Sequence, residues 1–195
     1  GSDALAAIGF ISPLFMILIG LGNGVGAGAN SLIARFIGAE NTPEANNTAL
    51  HSLLLTIIIS ILGSIAMYFL LPAVLNIMGA GSATQASLDY GGIVFSFMII
   101  FIYSNVGTAI LRSEGDVKRA MYVMAITAIF NIILDPIFIY ILNLGIEGAA
   151  WATVFSGFIS CLVLLYWMHI KKDTYLNLEL KNFHYENSIS WGILN

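Results

Sequence analysis

The residue that most needs a chemical reason is Asp135. It follows the uncharged run Ala120 to Leu134, inside a stretch that carries no other charge. Asn131 lies one turn earlier on the same helical face, and Thr127 one turn before that. Pro136 comes directly after, so a helix here is expected to kink and to leave a backbone carbonyl without its usual donor. A carboxylate, an amide oxygen and a freed carbonyl together suit a hard cation such as Na+, or a proton. An ionisable side chain at membrane depth costs roughly 3 kcal/mol or more, so it marks a functional site by default. The alternative for Asn131 and Asp135 is a polar clamp between helices.

The setting for these residues is an apolar chain. Of 195 residues 58% are hydrophobic and 9% charged, with a mean hydropathy of +0.90, against roughly 25% charged in soluble domains. Such a chain has too little polar surface to face water, so lipid must supply the missing solvent. The net charge of -4 comes with no basic patch, which excludes a nucleic-acid partner. One cysteine, Cys161, excludes an internal disulfide and a cysteine-rich metal site.

Long uncharged stretches alternate with short polar punctuation. The expected spans are about 5–34, 50–75, 88–111, 118–142 and 147–170, each reaching the ~20 residues that cross a ~30 Å core. They must be helices, since the ~10-residue alternation of a membrane barrel is missing. The fold class is therefore all-α, a polytopic membrane bundle of about five helices. The first stretch exceeds what a span requires and predicts tilt, or a break near Pro13 or its glycines. Thr42-Pro43-Glu44 reads as an N-cap, first-turn proline and first-turn acid. Ser82 to Gln85 has capping-box spacing, and Gly145 is a stop for the fourth span.

All seven basic residues, Arg35, Arg112, Lys118, Arg119, Lys171, Lys172 and Lys181, fall on one side if five helices alternate. The loops around 79–87 and 143–148 hold none. That side is expected to be cytoplasmic, in a multi-pass protein of the plasma or inner membrane. Residues 1–171 then form the bundle, and 172–195 a cytoplasmic linker. Both ends read as cuts, so a fragment is expected, with one or more helices missing upstream.

Counting from the turn near Leu144-Gly145, Asp135 and Thr153 lie at nearly equal depth on facing helices, about 13 Å in at ~1.5 Å per residue. Thr153 could complete a cation site, or simply pack between helices. Asp89 reads as a first-turn acid and His51 as a satisfied interfacial histidine. His169 and His184 share no metal-ligand spacing. Gly22-Asn23-Gly24 with Ala27 loosely matches a nucleotide-loop pattern, but no strand precedes it. Close helix packing explains Gly20 to Gly28 better, with Asn23 and Asn30 candidates for a flexing or cavity role.

Several segments carry a family resemblance. Leu5 to Gly9 with the glycine-rich stretch, Ser31 to Arg35, Gly38-Ala39-Glu40, Leu111 to Asp116, Asn131 to Pro136 and Gly148 to Thr153 resemble the multidrug and toxic compound extrusion (MATE) family. The resemblance spans helices two to six of a twelve-helix protein whose two lobes alternate between outward- and inward-facing states. It implies export of a small molecule, a drug or organic cation, against H+ or Na+ flow. It maps the family's cation site to Asn131, Asp135 and Thr153. No catalysis and no cofactor beyond the coupling ion is implied. The partners are the bilayer, the substrate, and the first helix and second lobe of the same protein. Two departures stand out: the first helix with its acidic residue is missing, and Ser156-Gly157 replaces the serine-glutamine of many relatives. A lipid-linked-precursor flippase of the same superfamily would need a more basic cavity, yet no span holds an internal Lys or Arg. An intramembrane hydrolase would need a partner for Asp135, and Asp89 sits too near the mouth.

Overall fold

A computed structural model describes residues 2–171, 174–179 and 183–194. The expectations for Lys172 and Lys181, and the start of the 172–195 linker, lie outside the described residues. Seven α-helices follow in order: α1 (Ser2–Gly38), α2 (Thr42–Ile77), α3 (Thr84–Ser96), α4 (Met98–Ser113), α5 (Val117–Pro136), α6 (Gly145–Leu165) and α7 (Asn187–Leu194). No strand occurs among the described residues. Among the described residues four helices are long and apolar enough to cross a bilayer, and α3 with α4 make a fifth crossing if the bent pair is one span.

The expected third span is therefore not one helix. It bends by 49° between α3 and α4, at Phe97. Neighbouring side chains serve the carbonyls around the bend, as an apolar medium demands. Ser64 Oγ of α2 donates to Phe95 O at 2.7 Å, and Cys161 Sγ of α6 to Ile100 O at 3.2 Å. Cys161 is thus a packed thiol with a structural partner. By contrast α1 runs unbroken through Pro13, so no break forms there. At about 1.5 Å per residue it is longer than a bilayer is thick.

Some end signals move. Asn41, not Thr42, caps α2, accepting the Glu44 N–H, and proline follows in the first turn. No capping box forms at 82–85; a short 3-10 turn (Gly81–Ala83) leads into α3 instead. Asp89 consequently sits in the second turn of α3, where Gln85 Nε2 donates to it at 2.7 Å. Gly145 is not the stop of the fourth span: that span ends at Ile141, Asn143 follows with φ of +55°, and Gly145, with φ of +57°, opens α6. Beyond Pro136 and Leu165 the chain continues as wide π-helical turns, Ile137–Ile141 and Tyr166–Lys171.

α1 packs chiefly on α4, and α5 on α6. The glycine face permits the first contact: a Cβ on Gly22 would meet Ile102 Cα at 3.5 Å, and one on Gly26 would meet Ala109 Cβ at 3.2 Å. Much of α2 and α5 stays bare, including Ile61, Leu62, Phe69, Ile132 and Ile133, so these surfaces require an apolar surrounding. Serine and threonine hydroxyls inside the bundle mostly donate to carbonyls of their own helix, as Thr56 does to Ser52 O and Ser87 to Ala83 O.

The described basic residues gather at one end: Arg35 ends α1, Arg112 ends α4, Lys118 and Arg119 open α5, and Lys171 follows α6. The segment after α6 folds back over this basic end. Asn46 Oδ1 accepts the Asn177 N–H, Asn47 Oδ1 the His184 N–H, and His51 Nε2 the Glu186 N–H. This explains why Ala45 to Ser52 are all buried at the mouth of α2.

Candidate functional site

Asp135 occupies the last turn of α5, half-buried, and Asn131 Nδ2 donates to its Oδ1 at 3.4 Å. The proline that follows ends regular α-helix: the Ile137 N–H goes to Leu134 O, and the wider π turn begins. Facing them on α6 is Thr153, whose Oγ1 donates to Ala149 O at 2.9 Å. Tyr90 of α3 joins this group. Its hydroxyl lies beside Thr153 and near enough to Asp135 to feel its charge. Nothing in the spacing of the sequence singled out Tyr90, because the pairing of α3 with α6 is a tertiary relationship.

A cavity of about 540 Å³ opens among α1, α4, α5 and α6. Asn131, Thr153, Thr127 and Asn23 line it, together with Ser104, Asn105, Thr108 and Ser156. Phe15 and Phe101 supply apolar walls and pack edge to face with ring centres 5.0 Å apart. Thr127 also bonds to Ser160 Oγ, tying α5 to α6. Asp135 is reached through Asn131 and is not itself among the lining residues; Pro136 and Asn30 do not line the cavity either.

Among the described residues that line it the charged one is Arg112, in the last turn of α4, and none is a carboxylate. Arg112 therefore does more than mark a basic loop, although it stands at the end of its helix and not inside a span. The spacing placed it one residue beyond the expected span; the turn of α4 carries it to the basic end of the cavity.

Outside the membrane, burial raises the Glu114 carboxyl to about 7. The N–H groups of Tyr175 and Leu176 and the charge of Arg119 work against that rise, while Asp116 adds to it. Glu114 thus joins the α4–α5 loop to the segment after α6.

The described residues thus form a helical membrane bundle with a polar cavity and a half-buried carboxylate–amide pair beside it. Residues 1–137 match the sequence profile of the MatE family, and the chain belongs to that family. It is 34% identical over 177 residues to the FAD transporter of Shewanella oneidensis, covering 88% of this chain and 39% of that protein. It is 33% identical over 181 residues to the probable multidrug resistance protein YoeA of Bacillus subtilis, covering 88% and 38%. A solved structure described as the inward-facing conformation of a multidrug resistance MATE family transporter superposes with a TM-score of 0.97 at 40% identity. That match covers all of this chain and 44% of the other. The chain spans about two fifths of the length of these relatives.

Proposed function

We propose that this chain is most of one lobe of a secondary antiporter that couples inward H+ or Na+ flow to export of drugs or organic cations by alternating access. The observation that carries the reading is Asp135, bonded to Asn131 and set against Thr153 and Tyr90 next to the cavity. A carboxylate, an amide and a hydroxyl give oxygen donors suited to Na+, and the carboxylate alone can carry a proton. Loading and release of the ion would alter how α5 packs on α6, the pair joined through Thr127 and Ser160. The basic end faces the cytoplasm in this reading, and one lobe alone does not transport.

A second reading concerns the cargo. Arg112 at the cavity, with no carboxylate among the lining residues, favours a substrate bearing an anionic group. One relative named as an FAD transporter supports it. Proteoliposomes holding the full-length protein, loaded with an organic-cation dye or with FAD, separate the two. Gradient-driven movement of the dye supports the first cargo, and movement of FAD alone the second. Movement of neither under either gradient overturns the antiport reading.

A further inference from the structure

We propose that Glu44, His184 and Glu186 form a binding site for a first-row divalent metal ion, best suited to Zn2+, that clamps the segment after α6 onto the start of α2. His184 Nε2 lies 3.8 Å from Glu44 Oε1 and 3.4 Å from Glu186 Oε1, and all three ligand atoms fall within 4.8 Å of one another. Ligands bound at ~2.1 Å around a tetrahedral ion stand roughly 3.4 Å apart. Two of the separations already approach that figure, and the third is no more than 4.8 Å, within reach of side-chain movement. One imidazole and two carboxylates balance a dication and leave a fourth position for water.

The ligands are held from behind. Asn47 and His51, both buried, accept the backbone N–H groups of His184 and Glu186. They belong to α2, the helix whose first turn carries Glu44. His51 cannot turn away, because its Nδ1 faces Asn47 O at 2.9 Å. Ser188 Oγ donates to Glu186 Oε2 at 3.2 Å, which fixes that carboxylate and leaves Oε1 for a metal. Asn47 Nδ2 is buried beside this junction and has no partner among the described residues. Neither Glu44 nor Glu186 pairs with Lys or Arg among the described residues. The side chains of Glu44, His184 and Glu186 are 29%, 54% and 42% exposed, so an ion can enter from water. The imidazole selects Zn2+, Ni2+ or Co2+ over Mg2+ and Ca2+.

The sequence hid this site, because the ligands come from two remote segments and His184 has no partner histidine. Its test is a titration of the full-length protein, purified without a polyhistidine tag and stripped with a chelator. Co2+ is followed by its visible absorption, and Zn2+ by displacement of the Co2+. The expected result is one ion per chain, weakened roughly 30-fold or more in H184A and about tenfold in E44Q. H169A, which alters a histidine outside the cluster, should bind as wild type does. Metal-free melting curves confirm that the variants fold; if H184A does not, E44Q and E186Q decide. No stoichiometric binding by wild type overturns the site, and so does unchanged affinity in H184A or, where it is unfolded, in E44Q and E186Q.

Discussion

Glu114 Oε2 accepts the backbone N–H of Tyr175 at 2.9 Å, joining the loop before α5 to the chain beyond α6. The pair has a pH consequence. Burial raises the carboxyl from 4.5 to about 7, so the folded state holds this proton more tightly than the unfolded chain does. The resulting stabilisation is full below about 4.5, declines as pH rises, and is gone above about 7. The unfolding midpoint of wild type should therefore fall across this window, and that of Glu114→Gln should fall less steeply. Parallel slopes would place the pH dependence elsewhere.

His51 is fully buried, with both ring nitrogens partnered and its ring 4.8 Å from that of Phe183. His51→Ala removes this packing and strands the Glu186 N–H. A loss of roughly 2–4 kcal/mol is expected from denaturant unfolding in mild detergent. Hydrogen exchange should quicken at Glu186 and in α7 before it does in α4.

Two glycines of α1 should respond oppositely. A Cβ on Gly28 would collide with the Ile193 carbonyl oxygen, whereas one on Gly24 meets nothing within 4 Å. Gly28→Ala must push α7 off α1, exposing it to protease. Gly24→Ala should leave the protein as stable or up to about 1 kcal/mol more stable, since alanine is the better helix former. Equal protease sensitivity of the two variants would contradict the contact.

A Cβ on Gly157 would meet Ile100 Cγ2 at 2.9 Å and Phe101 Cε1 at 3.4 Å. Adding a side chain there is therefore not a neutral exchange. Gly157→Gln should cost about 1–3 kcal/mol by overpacking the α4–α6 contact, measured by thermal unfolding. A variant as stable as wild type would mean that the two helices can part freely.

The spans were legible in the sequence because lipid imposes a strong rule: about 20 apolar residues with internally satisfied backbone. The bend at Phe97 was not, since no proline or polar run marks it and its carbonyls are served by Ser64 and Cys161 from other helices. Asp135 and Asn131 stood out because charge at membrane depth is rare and one helical turn joins them. Tyr90 and Arg112 did not, because their roles depend on which helices meet. The fold-back of residues 174–179 and 183–194 onto Asn46, Asn47 and His51 was equally hidden, being made mainly by backbone N–H groups that carry no sequence signature.

The central proposal is that Asp135 carries the coupling ion. The most direct measurement is export by the full-length protein in proteoliposomes, with H+ and Na+ gradients imposed separately, for wild type and Asp135→Asn. The substitution keeps size and one acceptor oxygen for Asn131 Nδ2 but removes the charge. Gradient-driven export should fall by about 100-fold or more, with substrate binding retained. Export by Asp135→Asn at the wild-type rate under either gradient would contradict the account.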